Sequence, residues 1–254
     1  MAVGLGWAHL PGPTHEGRLT QCSTYDAAGN TNGSRWMAQD EQVLVVERRI
    51  VEQDGMFQGL MFDTQRYLDR LFAAGVPRFM RRSQAENDPS YKQIIPYVIM
   101  THGGKYLTYV RGRRAGETRL VGNRSIGIGG HINPGDDLPL FNANFYGTYI
   151  AAIEREVAEE VAVEAGHTDH VVALLNDDSN AVGQVHLGIV HCWTLEAPNV
   201  IRREQMITQL AFLSPAELQA VRDSMETWSQ LCLDGLEEIA KRVKSAPGTK
   251  RSRV

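Results

Sequence analysis

The sequence predicts an α/β protein. Stretches of strand pattern alternate with stretches of amphipathic-helix pattern, a knot of glycines joins a strand to a helix near the middle of the chain, and that helix carries a stripe of carboxylates. The helix is the densest signal. In AAIEREVAEEVAV, residues 151–163, Glu156, Glu159 and Glu160 stand at i, i+3 and i+4, and about 3.6 residues per turn puts all three on one face. Ile150, Ile153, Val157 and Val161 make the other, core-facing side. Like charges so spaced repel by about 0.2–0.5 kcal/mol per pair. A cation is expected against them, and hard oxygen ligands on a rigid helix suit Mg²⁺ or Mn²⁺.

The glycine segment precedes this helix. Gly127, Gly129, Gly130 and Gly135 fall between the strand end Ser125-Ile126 and the helix. Without a Cβ the backbone approaches a ligand closely, so carbonyls can reach a metal and amides can face phosphate oxygens. The loop and the helix together supply one metal–phosphate site from two directions.

These residues resemble the signature of the Nudix hydrolases, G-x5-E-x7-R-E-U-x-E-E-x-G-U with U aliphatic. Gly130 opens it, HINPG follows, and Asp136 stands where the family has Glu. Arg155, Glu156, Val157, Glu159, Glu160 and Val163 match the second half, with Ala162 in place of the closing glycine. Residues 137–154 separate Asp136 from Arg155, eighteen where the pattern has seven, and this insertion is expected to form a loop before a helix starting near Gly147 or Thr148.

The resemblance implies an α/β/α sandwich with a mixed central sheet. It also implies a divalent-metal-dependent pyrophosphohydrolase, with Glu156, Glu159, Glu160 and the Gly129 carbonyl as metal ligands. Arg155 would orient the carboxylates, and Asp136 would anchor Arg155 or make an outer contact to the substrate side. Glu159 or Glu204 would accept the proton of the attacking water; the family often draws an extra carboxylate from the late loop that holds Glu204. Gly130 would lie against the substrate phosphates, and His131, directly after it, would touch a phosphate or the scissile oxygen. The substrate is expected to be a small nucleoside-diphosphate-type molecule. Two other readings stay open: a non-catalytic Nudix domain that senses a nucleotide-like ligand, and an isoprenoid diphosphate isomerase, which needs a placed cysteine.

Along the rest of the chain, residues 1–36 mix Gly, Pro, Thr, Asn and Ser without apolar periodicity or the features of a signal peptide. They are expected to be disordered or non-native, with Met37 as the native start. Residues 37–90 are expected to be an extension packed on the main domain or an oligomer contact. Within it QVLVVERRIV reads as a strand, Asp63 caps a helix with Tyr67, Leu68, Leu71 and Phe72 on one face, and RFMRRSQAEND reads as a solvated turn.

The main domain, residues 91–218, opens with a hairpin turning at Gly103-Gly104. Its second strand leads to Arg111, Arg113, Arg114 and Arg119, which with Lys105 bring five cations toward the glycine loop. By resemblance this hairpin lies beside the substrate groove, making Arg111 a substrate-binding candidate, with a solvated turn as the alternative. Two further strands run Val171–Leu175 and Val185–Leu195. His186 and His191, five apart, face opposite sides of a strand, so His186 faces either the groove or ordinary sheet packing. Ser214 and Glu217 form a capping box after the strand at Leu210–Leu213. Amphipathic helices follow over residues 219–243, and residues 244–254 read as a flexible tail.

Composition limits the remaining possibilities. Hydrophobic residues make up 43% of 254, and no apolar run approaches a membrane span. A net charge of −4 argues against a bulk nucleic-acid binder. Cys22, Cys192 and Cys232 are too few and too irregular for a disulfide framework, which points to a reducing cytoplasm. A second copy of the chain is the one protein partner considered.

Overall fold

The computed structural model describes residues 40–112, 122–136, 145–203, 207–245 and 247–254. Strand β1 (Gln42–Glu47) is followed by α1 (Arg48–Glu52), β2 (Gly59–Met61), α2 (Gln65–Leu71), β3 (Arg78–Arg81) and α3 (Arg82–Ala85). The hairpin β4 (Tyr91–His102) and β5 (Lys105–Arg111) comes next, then β6 (Arg124–Ser125) and β7 (Gly127–Gly129). Helix α4 (Phe145–Glu160) runs directly into β8 (Val161–Val163), and β9 (His167–Asn176), α5 (Ala181–Gln184), β10 (His186–Leu195), β11 (Val200–Arg202) and β12 (Ile207–Leu213) follow. Helices α6 (Pro215–Ala220), α7 (Thr227–Asp234) and α8 (Leu236–Ser245) and strand β13 (Thr249–Arg251) close the chain.

The main sheet is mixed, ordered β12-β5-β4-β10-β9-β13, and among the described strands β4 and β10 form its one parallel pair. The long strand β4 is its spine. One edge pairs with β10 from residue 93 to 101; the other is shared by β1, β7 and β5 in turn. Pro96 lies where neither β1 nor β7 pairs with that second edge, a position that tolerates a residue without an N–H. Residues 40–90 thus contribute strands to the same sheet as the glycine loop.

Alternation along the strands gives the sheet two apolar faces. Ile94, Val98 and Met100 of β4 and Leu187, Ile189 and Trp193 of β10 pack with Tyr149, Ala152, Ile153 and Val157 of α4. Tyr97 and Ile99, with Val190 and Cys192, pack on the other face with Leu218, Cys232, Leu233 and Ile239 of the C-terminal helices. This is the layered helix–sheet–helix arrangement that the resemblance implies.

The structure departs from the sequence reading in five places, the smallest being that α2 is capped at Thr64, without a side-chain cap bond, and not at Asp63. The expected strand over residues 42–51 stops at Glu47, because Arg48 turns away to pair with Asp178, 130 positions on, and Val51 is buried in a helical turn. The expected turn at Arg78–Asp88 begins as a strand: β1 is a buried apolar run that needs a ladder partner, and Leu44 and Val43 stand opposite Phe79 and Met80. Helix α4 starts at Phe145 and ends at Glu160, so Val161 fills the core from a strand and not from the helix. The tail is ordered from Pro247: β13 pairs with β9, Arg251 bonds to Asp169 and Glu154, and Val254 exchanges backbone hydrogen bonds with Val163.

Other expectations match closely. Gly103 and Gly104 adopt φ of +57° and +77°, the left-handed pair a two-residue hairpin needs. Ser214 and Glu217 cap α6 reciprocally, with Ser214 N to Glu217 Oε2 at 2.7 Å. Among the described residues no helix is long and apolar enough to cross a membrane.

Candidate active site

The C-terminal half of α4 lies against β7 and the loop after it. Arg155 organises one side. Its Nε and Nη2 donate to the two oxygens of Asp136 at 2.6 and 2.9 Å, a fork that only guanidinium makes. Nη2 also reaches the His131 carbonyl at 2.9 Å, while Nη1 reaches Glu156 Oε1 at 2.8 Å and Glu159 Oε1 at 3.3 Å. Asp136 is itself held by the Asn133 N–H at 2.8 Å. One cation therefore ties loop and helix together through Asp136, His131, Glu156 and Glu159.

The glycines fit closely around these groups. A Cβ on Gly130 would lie 2.0 Å from Glu156 Oε2, and one on Gly129 would lie 2.4 Å from the Pro96 carbonyl. The loop backbone thus sits where any side chain would displace the Glu156 carboxylate or the sheet.

Glu160 faces a different neighbourhood. Its Oε2 is shut off from solvent with no hydrogen-bond partner. Burial pushes its carboxyl up to about 7, against the opposing pull of the nearby Arg111 guanidinium and with the added repulsion of Glu156 and Glu226. Burial likewise raises Glu156, while Arg155 opposes the rise. Glu159, at 52% side-chain exposure, reaches the solvent side.

Arg111 is not free to meet a ligand by itself. Its Nε donates to Glu226 Oε2 at 3.1 Å, and its guanidinium lies 5.6 Å from the centre of the Tyr109 ring. Glu226, at the start of α7, also accepts from Ser125 Oγ at 2.6 Å and lies 3.4 Å from Tyr97 OH. Ser229 completes this buried network, with its Oγ 2.8 Å from Tyr97 OH and accepting from Ile126 N at 3.1 Å. Sequence reasoning missed Glu226. The only local sign was a carboxylate before the helix TWSQLCLD, which reads as an ordinary helix start.

His131 and His186 come together, with ring centres 5.7 Å apart. His186 Nδ1 contacts the Val182 carbonyl at 2.7 Å. Burial, with the charges of Arg82, His186 and Arg155, lowers His131 to about 3, so it is neutral at pH 7, and its Nε2 has no partner. His191 lies on the opposite side of β10, between Asp169 and Tyr149. Lys105 is exposed at the hairpin turn. Glu204, Arg113, Arg114 and Arg119 lie outside the described residues, as does Cys22.

The structure thus ties His131, Asp136, Glu156 and Glu159 to the Arg155 guanidinium, sets Gly130 against Glu156 and Gly129 against the Pro96 carbonyl, places Glu160 beside Arg111 and Glu226, and brings His186 to His131. Among the described residues no three His, Cys, Asp or Glu side chains already converge on a metal-sized point. The donor set is nonetheless one of hard oxygens, with an unpartnered buried oxygen on Glu160 and the glycine cradle beside Glu156. Such a set fits Mg²⁺ or Mn²⁺.

The chain is 32% identical over 206 residues to protein YmaB of Bacillus subtilis (strain 168), an alignment covering 78% of this chain and 98% of that protein. Its fold is similar to the crystal structure of Tm1382, assigned to the Nudix hydrolases, with a TM-score of 0.61 and 27% sequence identity over 77% of this chain and 98% of that one. No protein-family model matches the sequence.

Proposed function

Because the chain belongs to the Nudix hydrolases, enzymes that act on acid anhydrides of phosphorus, we propose that it cleaves the diphosphate linkage of a nucleoside-diphosphate-type substrate with Mg²⁺ or Mn²⁺. The observation that carries this reading is Glu160: a carboxylate oxygen closed off from water, without a partner, beside a second carboxylate on the same helix face. Left alone that oxygen is costly to ionise, and a cation compensates it.

Glu156, Glu159, Glu160 and the Gly129 carbonyl would hold the divalent ion, which would supply neutralisation of the diphosphate charge and a more acidic attacking water. Arg155, fixed by the Asp136 fork, holds Glu156 and Glu159 in register with the loop. The amides around Gly130 face the phosphoryl oxygens and stabilise charge that grows during in-line displacement. Glu159, on the solvent side, takes the proton of the attacking water; an in-line geometry requires only that this carboxylate lie within hydrogen-bond reach of the water. His131, neutral, offers its ring to a phosphate or leaving oxygen, with His186 beside it.

A ligand-sensing protein is the second reading, favoured by the Arg155 guanidinium that already engages both Glu156 and Glu159. The isomerase reading has less support, since Cys192 is buried in the core on the sheet face away from α4 and burial pushes its thiol up to about 12.

The test is turnover of a panel of dinucleoside polyphosphates, nucleotide sugars, NADH and nucleoside triphosphates by wild type and Glu160→Gln with Mg²⁺ or Mn²⁺. Activity on one class that falls by about a hundredfold or more in a folded Glu160→Gln variant supports the hydrolase. Activity that survives the substitution refutes the assigned site, and binding without turnover across the panel selects the sensor.

A further inference from the structure

A cavity of about 590 Å³ opens at the other end of α4, between α2, the first turns of α4, β9 and the residues leading into β13. Tyr149 lines it, and Tyr149 and Glu156 are seven residues apart, about 10 Å along a helix. The cavity and the carboxylate cluster therefore occupy different ends of the same helix. Its size lies within the roughly 300–1,000 Å³ of small-molecule sites.

One wall is aromatic. Phe72 lies 5.2 Å from Tyr149 and 6.2 Å from Tyr146 between ring centres, and the two tyrosines are 6.3 Å apart. Tyr146 is 53% exposed, a large ring presented to solvent that hydrolysis at the far end of α4 does not use. Tyr149 is locked: its hydroxyl hydrogen-bonds His191 Nε2, and His191 Nδ1 contacts Asp169 Oδ1 at 2.7 Å.

The charge on the walls is negative. Asp69 and Asp169 line the cavity, and among the described residues no Lys or Arg does. Arg251 sits behind Asp169 and is shared with Glu154, so two carboxylates divide one guanidinium. His170 lines the same space, 8% exposed, with Nδ1 buried and without a partner, and burial lowers its pKa so that the ring is neutral at pH 7.

Asp169 is already engaged by His191 and Arg251, whereas Asp69 has no ion pair among the described residues. Aromatic rings beside such a carboxylate attract an organic cation: a bare metal ion gains little from ring faces, and a phosphate is repelled. We propose that this cavity binds an organic ammonium ion, seated against Phe72, Tyr146 and Tyr149 with Asp69 as its counter-charge.

Calorimetric titration of the full chain in the presence of a metal chelator tests this, with choline, its uncharged carbon isostere and spermidine as probes. Choline or spermidine binds, and the isostere binds at least about fivefold more weakly. Asp69→Asn and Tyr146→Ala each weaken the cation by about fivefold while circular dichroism stays native, as suits two exposed side chains. Glu160→Gln binds the cation as wild type does. Absence of binding for both cations, equal affinity for the isostere, or affinity unchanged in both cavity variants overturns the proposal. Loss of cation binding in Glu160→Gln also overturns it, by placing the cation at the carboxylate cluster.

Discussion

Arg111 donates to Glu226 at 3.1 Å across 115 positions of sequence, and the same guanidinium lies in the electrostatic field of Glu160. Two carboxylates thus compete for one cation, and Glu226 holds it. Glu226→Gln weakens that hold. Loss of a hydrogen bond between charged partners costs about 1.5–3 kcal/mol of stability, measurable by urea unfolding. Arg111 is then drawn toward Glu160, so Mn²⁺ affinity, followed by electron paramagnetic resonance, is expected to fall. Adding Arg111→Gln restores it; an unchanged Mn²⁺ affinity in Glu226→Gln shows that Arg111 has no part in the site.

Gly130→Ala separates site geometry from stability. The added methyl would come within 2.0 Å of Glu156 Oε2, the far end of a flexible side chain, so the carboxylate moves and the fold stays. Turnover is expected to drop by about tenfold or more with the melting temperature almost unchanged. A variant with wild-type kinetics would remove Glu156 from the ligand set.

Asp169 supplies a pH dependence. Burial alone would raise its pKa, but hydrogen bonding to His191 and the charge of Arg251 outweigh it and hold the group below its ordinary 3.8. A carboxylate with a depressed folded pKa contributes stability in full above the unfolded value and loses it as pH falls through the folded one. Wild type is therefore expected to lose more stability than Asp169→Asn between about pH 5 and pH 2, as urea midpoints will report. Parallel acid limbs would show that Asp169 is not held in that way.

Deleting residues 247–254 removes β13, the Arg251 ion pairs and the Val163–Val254 hydrogen bonds. A loss of about 1–3 kcal/mol is expected, together with a tendency to aggregate through the uncovered edge of β9. Unchanged unfolding and solubility would restore the view of this segment as a passive tail.

Much of the framework is legible in the sequence because its causes are local. The hairpin follows from paired glycines between strand patterns, α6 from Ser214 and Glu217, and the acidic face of α4 from the three- and four-residue spacing of Glu156, Glu159 and Glu160. The strand at Arg78 is not legible, since its two apolar residues, Phe79 and Met80, are hemmed in by arginines and only the demand of the buried strand β1 for a partner makes it pair. The tail failed for the same reason: Arg251 is a solvated cation until Asp169 and Glu154, far away in sequence, stand beside it.

By itself the sequence determined the carboxylate stripe and the glycines that meet it, because periodicity and spacing are properties of neighbours along the chain. The tertiary structure decided that Arg111 is engaged by Glu226, that Glu160 keeps one oxygen unpartnered, and that an aromatic, acidic cavity lies at the opposite end of α4. Each depends on groups tens of residues apart being packed out of water together, where burial and the field of a neighbour, not residue type, set what a side chain can do.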